Sequence, residues 1–273
     1  DIYGVVNGQN GNFTVHWGDD LSYLFTRSGS TYTPPAGFFD TLVANGDPIT
    51  SYDLTTEGQV RYRFTNPNGN SWNCTSITDG NSNAITVNWN AGNYVTSIVD
   101  PTNRTISLSY TSDKITSISD PQSRSWSISY TSGDLTQITY PTVGGNSYNV
   151  QFTYDANHNI TDFKDKRGNH WPASYNSDSS IAWEEDPAAN RTSYSYANGQ
   201  TTITGPNGHT VKHNYDTTNL RLSSVVDGAN NTESYSYDGS HNRTGMTDRR
   251  SKSWSWTFDS AGNCLTATDP LNH

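Results

Sequence analysis

Short runs in which every second residue is apolar dominate the chain. TISLSY (105–110) sets Ile106, Leu108 and Tyr110 against Ser107 and Ser109. SWSISY (125–130) repeats this with Trp126, Ile128 and Tyr130, and SWSWTF (253–258) with Trp254, Trp256 and Phe258. AITVNW, NVQFTY, TSYSY and ESYSY follow suit. A period of two marks a half-buried strand, not a helix. A second short strand comes after each, as in KITSISD, DLTQITY and NITDFKD. The alternation predicts a succession of β-hairpins.

The hairpins recur. Aromatic anchors stand at Phe64, Trp89, Tyr110, Tyr130, Tyr154, Tyr175, Tyr196, Tyr215, Tyr237 and Phe258, 19 to 25 residues apart. About ten residues past most anchors comes a turn aspartate: Asp100, Asp120, Asp165, Asp186, Asp227, Asp248 or Asp269, often with Pro or Gly behind it. Pro presets φ and the Asp carboxylate accepts from nearby amides, which suits a tight turn between strands. A fixed period of this length is the mark of a repeat array. One unit buries too little apolar surface to offset the entropy of ordering itself, so neighbouring units must share their ladders and aromatic rows.

Residues 1–63 lack the period but still read as strands and turns: FTVHW, LSYLFT, TYTPPAG and QVRYRFT. They predict a β-meander that begins the sheet and caps its first edge. Residues 64–273 then form about ten units, the last of them incomplete.

Composition sharpens this picture. The chain is 31% hydrophobic and 12% aromatic, and rich in Ser, Thr and Asn, which favours short strands with polar turns over helices. Its net charge of -10 argues against nucleic acid, whose binding depends on Lys and Arg neutralising phosphates. No apolar run approaches the ~20 residues of a membrane-spanning helix. Cys74 and Cys264 match no metal or disulfide framework and read as two free thiols. The opening DIYGVV has neither Met nor a charged-then-apolar leader, which reads as a processed product or an excised piece.

The segments YDANHN (154–159), YDTTNL (215–220), YDGSHN (237–242) and FDSAGN (258–263) resemble the YD repeats of bacterial Rhs proteins. Related repeats occur in Tc-toxin C components and teneurins. The similarity covers about residues 64–273 and departs from the motif at four anchors. Tyr175 is followed by Asn, Tyr196 by Ala, and Tyr110 and Tyr130 by Thr. The resemblance implies an all-β spiral of stacked hairpins, an open or partial shell, which in longer relatives closes around a C-terminal toxin. It also implies a secreted or cell-surface setting. No closing segment with an autoproteolytic Asp and no toxin domain is found here.

Candidate chemistry is sparse. His209 and His213 are four apart, which on a strand places them about 13 Å from one another, too far to share an ion. Adjacent Glu184 and Glu185 face opposite sides of a strand, and no serine sits in a nucleophile motif. The turn aspartates lack the glycine-rich nonapeptide of calcium-binding solenoids. Asn12, Asn73, Asn103, Asn159, Asn190, Asn230 and Asn242 each open N-x-S/T, but seven sequons are no more than chance gives for this composition.

The expectation is a non-catalytic scaffold without a cofactor. It would serve either as part of a toxin-encapsulating shell or as a self-assembling surface fibre. Its partners would be further repeats of a longer parent chain, or neighbouring copies, joined through an open strand edge. A carbohydrate-binding adhesive module for surface glycans, using the aromatic rows, is the alternative.

Overall fold

The computed structural model describes residues 2–6, 11–66 and 71–273; residues 1, 7–10 and 67–70, within the expected meander and beside its boundary at Phe64, lie outside them. The described residues form 26 strands and no helix. The fold is all-β, built hairpin after hairpin with antiparallel pairing. Two compact units divide the chain: Asp1–Ser129 with Ile138–Tyr148, and Tyr130–Gln137 with Asn149–His273.

The first unit opens with a meander that rolls back on itself. Strand Tyr3–Val6 pairs along one side with Phe13–His16. Along its other side it meets Trp72–Thr78, with Gly4 opposite Trp72 and Tyr3 opposite Asn73. Phe13, Val15, Phe25, Leu42, Tyr52, Leu54, Phe64 and Cys74 fill the space enclosed. The Phe13 ring packs 4.2 Å from Tyr52 and 5.7 Å edge-on from Phe64, centroid to centroid. Gly4 is required by that packing, since a Cβ there would lie 2.0 Å from the Phe13 ring. The first anchor, Phe64, is therefore part of this core.

The pattern changes beyond Thr78, where Val150 alone of the described residues is buried. Hairpin strands such as Ser125–Thr131 and Ser253–Phe258 alternate between exposed Ser or Thr and half-buried apolar side chains. The whole chain exposes 16790 Å². Two separate compact units of half its mass would expose about 14,000 Å². The excess reflects the half-buried and exposed side chains beyond Thr78.

The opposite face is a lattice of hydroxyls and amides in register. Asn88, Ser97, Ser107, Ser119 and Ser125 stand side by side on successive strands. Gln200, Asn214, Ser224, Ser234, Thr247 and Ser253 form a second such row. Gln200 donates to Asn214 at 2.7 Å, and Asn214 to Ser224 at 2.9 Å. Polar groups satisfied sideways along the row hold this face in water without a cover.

Candidate functional site

The anchors occupy equivalent places. Each lies at or beside the end of the first strand of its hairpin. At Phe64, Tyr110, Tyr154, Tyr175, Tyr215, Tyr237 and Phe258 the ladder register shifts just before the anchor. Such a bulge bends the strand and re-aims the side chain. Tyr196 instead pairs in unbroken register with Thr201.

At five anchors the ring reaches back to the hairpin before it. Trp89 Nε1 donates to the Cys74 carbonyl at 2.8 Å, and Tyr110 Oη to that of Val95 at 2.9 Å. Tyr154 donates to Leu135 at 2.8 Å, Tyr196 to Ile181 at 2.9 Å and Tyr237 to Leu222 at 3.0 Å. Four of these acceptors are themselves the register partners of the preceding anchors: Cys74 faces Phe64, Val95 faces Trp89, Ile181 faces Tyr175 and Leu222 faces Tyr215. At these four places one hairpin builds the docking point for the anchor of the next. Burial holds the hydroxyls of Tyr110, Tyr154 and Tyr196 above the ordinary phenol range, so they remain protonated donors.

The turn aspartates share one geometry. Asp100 Oδ1 accepts from the amides of Thr102 and Arg104, while its own N–H donates to the Arg104 carbonyl. The residue between, Asn103, sits in the left-handed region at φ 64°. The same five-residue turn forms at Asp120, Asp165, Asp186, Asp227, Asp248 and Asp269. It forms again at the aspartates that follow anchors, Asp155, Asp238 and Asp259. Both ends of a hairpin therefore use one device. Hydrogen bonds to the charged carboxylate hold all of these aspartates below the ordinary range; at Asp155 the Asn159 side chain is the largest cause, and at Asp248 the Lys252 amide.

The departures from Tyr-Asp find their reason here. Asn90 follows Trp89 and opens the same turn, closed by Tyr94, whereas Asn176 after Tyr175 keeps only its backbone bonds to Ser180, with Asp178 Oδ1 accepting the Ser180 amide. After Tyr110, Tyr130 and Tyr196 comes Thr or Ala, and the strand runs one residue further, to Thr111, Thr131 and Ala197. Two-residue turns then join Thr111 to Lys114 and Ala197 to Gln200.

The sequons divide among three positions. Asn12 and Asn73 are buried, Asn12 accepting from the Arg27 amide and Asn73 donating to Asn93. Asn159, Asn190 and Asn242 close turns by donating Nδ2 to Asp155, Asp186 and Asp238. Asn103 and Asn230 occupy the exposed left-handed position.

The remaining candidates lie apart. His209 closes the turn opened by Gly205, whereas His213 lies within strand Thr210–Tyr215 opposite Thr201 and Val225. Glu184 accepts from Tyr194 Oη and Glu185 pairs with Arg191. Among the described residues no three His, Cys, Asp or Glu side chains cluster as metal ligands. Cys74 and Cys264 are free, one buried and one exposed.

Sequence reasoning missed the closing residue of the turn, four after each aspartate. The signal was present: Asn stands there at 83, 159, 169, 190, 231, 242 and 263. The tenth hairpin also differs from its expected incompleteness, for its second strand, Cys264–Thr268, and the turn after it are both formed.

No protein-family model and no curated protein matches the sequence. Two crystal structures of TcdB2–TccC3 share its fold. One, the complex without its hypervariable C-terminal region, aligns at a TM-score of 0.61 and 12% identity over 98% of this chain. The other, TcdB2–TccC3–TEV, aligns at 0.59 and 12% over 95%. The likeness establishes the fold. The chain spans about one sixth of each of those chains, 16% and 17%.

Proposed function

We propose that this chain is a non-catalytic scaffold segment of a longer, extracellular shell-forming YD-repeat protein. The relay from anchor to preceding carbonyl carries the reading. It is a growth rule, in which a hairpin completes its predecessor and prepares a place for its successor, as at Trp89, Tyr110, Tyr196 and Tyr237. Nothing in it calls for a reacting group. The likeness to Tc-toxin chains about six times longer supports a strip that continues and encloses cargo. The rolled N-terminal meander favours a shell segment over a fibre. Fibres grown by strand addition need two complementary edges, and here the first strand, Tyr3–Val6, is paired on both sides. Strand Cys264–Thr268, paired with Ser253–Phe258, offers one edge for a following hairpin.

Size-exclusion chromatography with light scattering at rising concentration tests this. A scaffold segment gives a monomer or a small closed species such as a dimer. An open-ended series of larger species would overturn the reading in favour of the fibre.

A further inference from the structure

At one hairpin of the array the aromatic face carries an unusually small side chain. Two residues before the anchor, the array places Val87, Leu108, Ile128, Phe152, Tyr194, His213, Tyr235 and Trp256. The hairpin of Tyr175 has Ala173 there. Across the ladder Ala173 faces Glu184, which in turn faces Thr192. Trp171, two residues back on the same face, is the exposed one among the eight tryptophans, at 45%. A groove of about 350 Å³ lies there, bordered by Trp171, Ala173, Glu184, Asn190, Thr192 and Pro206.

The groove has the makings of a saccharide subsite. The Trp171 ring is a flat apolar platform of the kind on which the C–H face of a pyranose stacks. Glu184 Oε1 is occupied by the Tyr194 hydroxyl at 2.7 Å, while Oε2 has no protein partner and is an acceptor for a sugar hydroxyl. That bond, followed by burial, pushes the Tyr194 hydroxyl up to about 12, so it stays a donor and keeps Glu184 in place. The Thr192 hydroxyl adds a donor that is also an acceptor. Apolar walls with a few convergent polar groups describe a small-ligand site. Glu184, Glu185 and Asp186 beside it, on a chain of net charge -10, repel uronic and sialic acids.

We propose that Trp171, Ala173, Glu184 and Thr192 form a binding subsite for a neutral hexopyranose unit of a glycan. The scaffold reading neither requires nor excludes it.

Ligand-observed NMR on the 273-residue chain tests it, with the methyl glycosides of glucose, galactose and mannose, N-acetylglucosamine and their β-linked oligomers as probes. At least one neutral sugar should bind with a dissociation constant in the millimolar range. Trp171→Ala and Glu184→Gln should each weaken it by about 10-fold, the loss of roughly one stacking or hydrogen-bonded contact. Ala173→Leu restores the side-chain size used elsewhere in the array, so it should leave the thermal melt unchanged and abolish binding. No sugar binding at 50 mM probe would overturn the proposal, as would affinity that survives Ala173→Leu. Binding of tetramethylammonium or a lysine peptide with no sugar binding would also overturn it, assigning the groove to cations.

Discussion

Tyr237 donates its hydroxyl to the carbonyl of Leu222 at 3.0 Å, and Leu222 is the residue that faces Tyr215 across the previous hairpin. One aromatic position thus closes its own strand and completes the hairpin before it. Tyr237→Phe should cost about 0.5–1.5 kcal/mol, the net worth of one such bond. The loss should appear in denaturant unfolding, and amide exchange should quicken along Leu222–Val226 more than along Cys264–Thr268.

The core anchor and the array anchors should not be equally costly to remove. Phe64 is fully buried against Phe13, whereas Phe258 is half-buried. Phe64→Ala should destabilise by about 3–5 kcal/mol, and Phe258→Ala by clearly less. Equal losses in paired chemical melts would contradict the assignment of Phe64 to the rolled meander.

The turns set an acid limit. Their aspartates are held below the ordinary carboxylate range in the folded chain, as at Asp155, Asp165 and Asp259. A depressed folded pKa contributes stability that is present above the unfolded value, about 3.9, and lost as pH falls through the folded one. The melting temperature should therefore be level near neutrality and drop below about pH 4. Asp155→Asn keeps the Oδ1 acceptor, as Asn90 does naturally toward Gly92 and Tyr94, and should retain the turn. Asp155→Ala should not.

Backbone strain in the same turn gives a stabilising change. Ala189 lies at φ 60°, the position occupied by Gly168 and Gly262 in equivalent turns. A left-handed alanine costs about 1–2 kcal/mol, partly offset in glycine by unfolded-chain entropy. Ala189→Gly should raise stability by about 0.5–1 kcal/mol, read as a higher denaturation midpoint with unchanged slope.

The two thiols should separate in reactivity. Cys74 is buried, and burial pushes its thiol up to about 11, while Cys264 is exposed. At pH 8 a disulfide reagent should label one cysteine quickly and the second only on unfolding. Cys264→Ser should remove the fast phase.

Much of this was legible along the chain. Period-two alternation named the strands, and the recurrence of Tyr110, Tyr154 and Tyr237 named the unit. The turns were legible too, even where the anchor is not followed by Asp. Thr after Tyr110 and Ala after Tyr196 go with two-residue turns, since Ala has no acceptor and a Thr hydroxyl caps a turn more weakly than a carboxylate. Asn176 keeps the longer turn through a different set of bonds, its Nδ2 donating to Ser180 Oγ while Asp178 Oδ1 accepts the Ser180 amide. Trp171, by contrast, looked like one more aromatic in a row. Only the register opposite Ala173, Glu184 and Thr192 shows that the row is broken there.

Alternation, anchors and turn aspartates are local properties, settled within about ten residues by backbone sterics and nearby hydrogen bonds, so the amino-acid order alone determined the hairpins. The tertiary structure decided what no local rule contains. It rolled the meander until Tyr3 met Asn73, drew Phe64 and Cys74 into a closed core and left the equivalent Phe258 and Cys264 near solvent. The reason is that burial depends on which distant strands cover a face, and the two Phe-to-Cys pairs have the same register but different neighbours.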